Sequence, residues 1–190
     1  MVNIIVLSTT LLLFLLVIAI VIRSIILRIP IIGRPPIPAF FFILAKMLVL
    51  VNLSFLLMKS LKINTLRLFD PVPLIEYVAL VILLTGAIIL FLSTIQLNKD
   101  LVFGLSDSDK HKLQTRGLYS ISRHPFYLGF ILILFSSCLL YPNPVNIIAF
   151  LGAWIIHHFI MIKEEKFLES QYGEEYRQYK KRVKRYITLK

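Results

Sequence analysis

Two short polar clusters in this chain of 190 residues carry the side chains that could do chemistry. The first cluster ends with Arg123 and His124, directly before Pro125. The second is the pair Glu164-Glu165, which follows a long apolar stretch. Guanidinium, imidazole and carboxylate groups bind partners of opposite charge, so together the clusters suggest a site for a ligand that carries both charges.

The first cluster predicts a binding site for an anion at a helix N-terminus. Pro125 suits the first position of a helix, because an N–H group there has no partner inside the helix. The unpaired N–H groups of the first turn then favour a carboxylate, which His124 or Arg123 would also contact. Across a predicted helical hairpin, Glu164 and Glu165 would hold an ammonium group.

A ligand with both of these groups is a zwitterionic amino acid head group. S-adenosylmethionine has this head group, and its adenosine could stack on the ring of Tyr119 or Tyr127. Simpler interpretations stay open at the level of the residues alone. Arg123 and His124 can anchor a helix end at lipid head groups, and the glutamate pair can lie on a solvated face.

Long apolar blocks must position these clusters. The chain is 58% hydrophobic and 16% charged, and a membrane-spanning helix needs roughly 20 apolar residues. Residues 4–22, 39–58 and 77–95 meet this criterion. The block 125–162 has about twice that length, and Pro142-Asn143-Pro144 interrupts it with a turn. We therefore predict an all-α polytopic membrane protein with five spanning helices, of which helices 4 and 5 form a hairpin.

The formal net charge of +11 reflects membrane topology in this interpretation. With five spans, most Lys and Arg residues fall on one side, which the positive-inside rule makes cytoplasmic. We expect a retained first helix, an external N-terminus, a cytoplasmic C-terminus and a prokaryotic plasma membrane. The basic residues then contact anionic lipids, and no nucleic acid partner is predicted.

The chain is expected to form a single membrane domain over residues 1–190. Residues 1–95 supply three helices, and residues 96–190 supply a polar cofactor-binding loop, the hairpin and a C-terminal cap. Apolar residues recur every three to four positions after Lys163, which predicts an amphipathic helix, bent near Gly173, at the cytoplasmic interface.

Two further polar positions lie inside the apolar blocks. Lys46 is about two turns from the predicted cytoplasmic end, where its side chain can reach the lipid head groups. A role in substrate binding is the alternative. His157 and His158 are adjacent and therefore point about 100° apart, so at most one faces the site and we predict no metal centre.

The motifs around the two clusters also resemble a known family. They read Gly117-x-Tyr119, Arg123-His124-Pro125-x-Tyr127-x-Gly129, and Glu164-Glu165-x-x-Leu168-x-x-x-Tyr172-Gly173-x-Glu175-Tyr176-x-x-Tyr179-x-x-Arg182-Val183. In this order and spacing they resemble the isoprenylcysteine carboxyl methyltransferase family, which is related to phospholipid methyltransferases. The chain is similar to a minimal, prokaryotic-type member.

The resemblance implies a pocket for S-adenosylmethionine that the C-terminal tail closes, and an acceptor that enters from the bilayer. The cofactor-binding positions it implies are His111, Lys112, Leu113, Gln114, Tyr119, His124, Pro125, Phe126, Tyr127 and Glu164. Similar eukaryotic members carry a substrate-binding Arg on the last helix, which is lacking here. The substrate-binding candidates in this chain are Glu165, His157, His158 and Arg123.

The expected activity is methyl transfer from S-adenosylmethionine to the carboxylate of a prenylated cysteine or a similar lipid-like molecule. A carboxylate is already anionic at neutral pH, so no residue is expected to act as a catalytic proton acceptor. The alternatives are a phospholipid N-methyltransferase, a nicotinamide-dependent sterol reductase and a non-enzymatic membrane adaptor.

Overall fold

The computed structural model describes residues 1–28, 33–97 and 113–188, and these ranges contain helices and no β-strand. A 3-10 helix, Gly117–Ser120, precedes α4. The α-helices are α1 (Val2–Leu27), α2 (Ala39–Ser60), α3 (Pro73–Leu97), α4 (Pro125–Leu140), α5 (Pro144–Tyr172) and α6 (Glu174–Arg182). The predicted all-α class is therefore confirmed for the described ranges.

Four of the helices, α1, α2, α3 and α5, are long and apolar enough to cross a membrane. Large apolar side chains such as Leu12, Ile18 and Val81 are exposed on their outer surfaces, as lipid contact requires. The predicted fifth span, α4, has 16 residues, or about 24 Å at 1.5 Å per residue. It is shorter than a ~30 Å hydrocarbon layer, because the polar cluster before Pro125 and the turn at Pro142 bound it on both sides.

α3 and α4 approach each other closely at two glycines. A Cβ atom on Gly129 would lie 2.8 Å from the Gly86 carbonyl oxygen, and one on Gly86 would lie 2.9 Å from the Gly129 carbonyl oxygen. Small residues allow helix backbones to approach in this way inside membranes. Since α2 also packs against α5, both helices of the hairpin rest on partners from the first half of the chain.

Polar contacts hold the closed end of the hairpin. The Asn143 side chain accepts a hydrogen bond from the Val145 N–H (2.8 Å) and so caps α5. Asn146 donates to the Tyr141 carbonyl (3.1 Å), and the Leu68 N–H donates to the Pro142 carbonyl (3.0 Å). With this end fixed, the start of α4 and the far end of α5 are held beside each other at the opposite end.

We expect Gly129→Ala to lower the thermal unfolding temperature in detergent. Its new Cβ would collide with backbone atoms of α3, which cannot move independently of the helix; overpacking of this kind typically costs about 1–3 kcal/mol. The matched control is Gly152→Ala, whose Cβ would meet only the flexible end of Leu48 at 2.9 Å. Equal unfolding temperatures for the two variants would contradict the close contact of α3 and α4.

Candidate functional site

The N-terminus of α4 forms one wall of the site. The 3-10 helix Gly117–Ser120 leads to it, and Gly117 adopts φ 63°, a conformation that glycine tolerates. The Gln96 side chain on α3 accepts a hydrogen bond from the Leu118 N–H (3.1 Å) and holds this turn. Since α4 begins at Pro125 with His124 as its N-cap, the N–H groups of its first turn have no acceptor within the helix.

Glu164 and His124 face each other at the open end of the hairpin. The Tyr127 hydroxyl donates a hydrogen bond to Glu164 Oε1 (2.6 Å), and His124 Nδ1 lies 3.8 Å from Glu164 Oε2. His124 Nε2 is buried 3.3 Å from Glu165 Oε1, so the two ring nitrogens of His124 face the two glutamates.

Glu165, by contrast, lies among guanidinium groups. Its Oε1 accepts hydrogen bonds from Arg123 (2.9 Å) and from Arg185 Nε (2.7 Å), and its Oε2 accepts one from Arg185 (3.0 Å). Glu165 is only 2% exposed, and charge-assisted, bidentate pairs of this kind are strong. The carboxylate therefore connects the start of α4 to the C-terminal segment.

Residues 183–188, which we call the tail, run alongside the segment before α4. The Arg123 N–H donates to the Lys184 carbonyl (3.0 Å), the Thr188 N–H donates to the Ile121 carbonyl (2.8 Å), and the Ser122 hydroxyl donates to the Arg185 carbonyl (3.0 Å). These bonds place the tail over the polar end of the hairpin.

The helix before the tail is attached by tyrosines. Burial raises the pKa of the Tyr179 phenol, which stays protonated and donates to the Tyr119 carbonyl (2.7 Å). Tyr176, Tyr179 and Val183 form a small apolar cluster against which Leu113 packs. α6 and the tail thus cover the segment that leads to α4.

An apolar cavity of about 600 Å³ adjoins the polar site, a volume typical of small-molecule pockets. Tyr127 lines this cavity and also binds Glu164, so the two sites share one side chain. Val17, Ile43 and Met47 line the cavity and are exposed on the outer surface of α1 and α2. The cavity therefore opens toward the surface that lipid would cover.

The structure brings together part of the predicted cofactor set. His124, Tyr127 and Glu164 are in direct contact, and Pro125 and Phe126 form the first turn of α4. Tyr119 is buried, and its carbonyl accepts the hydrogen bond from Tyr179. Leu113 packs against the tyrosine cluster, and Gln114 follows it as a half-buried residue. His111 and Lys112 lie outside the described residues.

The predicted substrate-binding residues fall into two groups. Glu165 and Arg123 are engaged with each other and with the tail. His157 lines the cavity, whereas His158 Nδ1 lies 2.7 Å from the Tyr186 hydroxyl and its ring stacks on that tyrosine. Their roles in substrate binding remain predictions.

Sequence reasoning missed Arg185, Tyr186 and Ser122. The one available signal was that a buried glutamate needs a cationic partner. Because the C-terminal segment is rich in Lys and Arg, this signal could not select Arg185 from its neighbours.

Comparison with known proteins identifies similar chains. A family model described as phospholipid methyltransferase matches residues 75–175. A probable protein-S-isoprenylcysteine O-methyltransferase of Oryza sativa subsp. indica is 32% identical over 112 residues, which are 57% of this chain and 59% of the rice protein. Protein-S-isoprenylcysteine O-methyltransferase B of Arabidopsis thaliana is 36% identical over 78 residues, covering 40% of this chain and 39% of that protein.

A bacterial relative has a different name. Methanethiol S-methyltransferase 1 of Bradyrhizobium diazoefficiens is 33% identical over 108 residues, which are 52% of this chain and 37% of that protein. The matches thus span less than two thirds of each of these relatives. The resemblance predicted from the two motifs is confirmed by these matches.

We expect Arg185→Gln to speed amide hydrogen exchange in the tail by roughly tenfold or more, because Glu165 loses its bidentate partner. Exchange is followed by mass spectrometry of the C-terminal peptides. The control Arg177→Gln removes ion pairs from a side chain that is 55% exposed, where such pairs contribute little. Unchanged tail exchange in Arg185→Gln would show that Glu165 does not hold the tail.

Proposed function

Because this chain belongs to the phospholipid methyltransferase family, we propose that it transfers a methyl group from S-adenosylmethionine to a lipid-like acceptor. The acceptor group is the carboxylate of a prenylated cysteine or a similar molecule. The observation that carries this proposal is that Tyr127 both binds Glu164 and lines the apolar cavity. A polar site for a charged methyl donor thus adjoins an apolar site for a lipid-like acceptor, and the relatives named isoprenylcysteine O-methyltransferases support this choice.

The start of α4 and the end of α5 suit the head group of S-adenosylmethionine. Glu164 would hold its ammonium group, while the first-turn N–H groups of α4, which follow His124, would bind its carboxylate. Tyr119 or Tyr127 would contact the adenosine. The full proposed set is His111, Lys112, Leu113, Gln114, Tyr119, His124, Pro125, Phe126, Tyr127 and Glu164.

Methyl transfer to a carboxylate requires little proton transfer by the protein. When bound, S-adenosylmethionine supplies a methyl group on a sulfonium sulfur; transfer forms a methyl ester, and the electron pair of the broken carbon–sulfur bond stays on sulfur. A carboxylate with a pKa of about 4 is already ionised. The residues of the chain therefore align the reactants, and the tail and the apolar cavity walls exclude water.

One observation favours a second acceptor class, an amine such as that of phosphatidylethanolamine. His157 Nδ1 lies 2.7 Å from the Ala153 carbonyl oxygen, which can only accept, so Nδ1 carries the hydrogen. In the neutral ring, Nε2 then holds a lone pair, and His157 lines the cavity. An ammonium acceptor must lose a proton before methylation, and this nitrogen could receive it.

The finer arrangement in the membrane is part of the proposal. We propose one membrane domain over residues 1–190, with helices 1–95 supporting a cofactor and acceptor unit at 96–190. The short α4 counts as a fifth span, the N-terminus is external, and the C-terminus is cytoplasmic in a prokaryotic plasma membrane. There α6 would lie at the interface, where its basic residues meet anionic lipid head groups.

We expect the purified protein in detergent to bind S-adenosylmethionine in calorimetry, and Glu164→Gln to weaken binding roughly tenfold or more. The variant removes the charge that holds the ammonium group, and charged hydrogen bonds are worth about 1.5–3 kcal/mol. Glu175→Gln, a change at an exposed glutamate of α6, serves as the control. No binding by folded wild-type protein would contradict the proposed cofactor.

The pH dependence of the methyl transfer rate separates the two acceptor classes. For a carboxylate acceptor we expect a flat rate between about pH 6 and 8, because the nucleophile stays ionised throughout. For an amine acceptor the rate would rise with pH, because the ammonium must first lose its proton. Transfer is measured with radiolabelled S-adenosylmethionine at saturating acceptor, and a steep rise with a carboxylate acceptor would contradict the proposed chemistry.

A further inference from the structure

The apolar cavity contains one Lys or Arg side chain among the described residues that line it, Lys46 of α2. Lys46 is half-buried, and its Nζ lies 4.8 Å from the centre of the Phe42 ring. The described lining includes no aspartate or glutamate. A cation inside a low-dielectric pocket attracts an anion strongly, so the cavity suits a ligand with an apolar body and one negative charge.

Lys46 lines the cavity together with Tyr127 and His157. His157 packs against Tyr127, with 5.6 Å between ring centroids, and Tyr127 donates its hydrogen bond to Glu164. An anionic group that contacts Lys46 would therefore lie near the residues proposed to hold the methyl donor.

The histidines are poorer partners for an acceptor carboxylate. His157 directs its Nδ1–H to the Ala153 carbonyl, which leaves a lone pair on Nε2 in the neutral ring. A lone pair repels a carboxylate oxygen. His158 contacts the Tyr186 hydroxyl (2.7 Å) and stacks on that ring, and it is not among the residues that line the cavity.

We infer that Lys46 binds the carboxylate of the acceptor and selects for an anionic acceptor, an inference that rests on the proposed methyl transfer. One carboxylate oxygen pairs with the ammonium group, and the other stays available as the nucleophile. The apolar chain of the acceptor lies along the cavity and leaves it between α1 and α2, where Val17, Ile43 and Met47 are exposed.

Two consequences follow from this charge. In a phosphoethanolamine head group the phosphate would pair with Lys46, which would leave the ammonium group in a cavity whose described lining offers it no carboxylate. An ammonium group without an anionic partner in an apolar lining is disfavoured. Methylation removes the negative charge of the acceptor, so Lys46 holds the neutral ester less tightly and product release is favoured.

The test compares two probes with the same farnesyl chain, S-farnesyl-N-acetylcysteine and its carboxamide. Binding of each is measured by calorimetry in detergent, for wild type, Lys46→Met and Lys46→Arg. We expect the wild type to bind the acid at least about tenfold more tightly than the amide. Lys46→Met should lose this ratio while still binding the amide, and Lys46→Arg should keep most of it.

The ratio is the decisive readout because a damaged fold would weaken the binding of both probes equally. Lys166→Met, which removes an exposed lysine of α5 outside the cavity, should keep the wild-type ratio. A full ratio in Lys46→Met, equal binding of acid and amide by the wild type, binding of neither probe, or preferred methylation of phosphatidylethanolamine would each overturn the inference.

Binding of S-adenosylmethionine is measured in the same samples. This measurement separates failure of the inference about Lys46 from failure of the proposed methyltransferase function. Lys46→Met should still bind this cofactor, because Lys46 contacts the acceptor. If the wild type binds the cofactor but fails the acid and amide test, the inference about Lys46 falls and the methyltransferase proposal stands. If the wild type fails to bind the cofactor, the proposed function itself falls.

Discussion

Adjacent residues on a helix point about 100° apart, so Glu164 and Glu165 leave α5 in different directions and need different partners. Glu165 meets Arg123 and Arg185, and this buried ion cluster fastens the tail to the start of α4. Glu164 meets Tyr127 and His124. Two neighbouring carboxylates therefore have separate partners: Glu165 joins the tail to the start of α4, and Glu164 is the one that we propose to hold a ligand.

The arrangement depends on the hairpin that carries both walls of the site. Its closed end is fixed by the Asn143 cap and the contacts around Tyr141, while Gly86 and Gly129 let α4 lie close to α3. His124 and Glu164 are far apart in sequence, yet the hairpin brings their side chains to 3.8 Å. Because Tyr127 belongs to both the polar site and the cavity, donor and acceptor would meet at the start of α4.

Much of this could be predicted from the sequence. The lengths of the apolar blocks predicted the helices. Pro142 and Pro144 predicted the turn of the hairpin, and Pro125 predicted the start of α4. The partners of Glu165 could not be predicted, because many cations follow it and periodicity does not select Arg185. The direction of the Lys46 side chain could not be predicted either. A lysine near a membrane surface can extend toward the head groups or line a cavity, and only the packing of α1 and α5 against α2 distinguishes these two arrangements.

The most direct test of the central claim is the chemical form of the transferred methyl group. The protein is incubated with methyl-labelled S-adenosylmethionine and S-farnesyl-N-acetylcysteine, and the lipid product is treated with mild base. A methyl ester hydrolyses, so the account predicts that the label is released as volatile methanol. Label that stays in the lipid fraction after base treatment, or no transfer to this acceptor by protein that binds the cofactor, would contradict the proposed carboxylate chemistry.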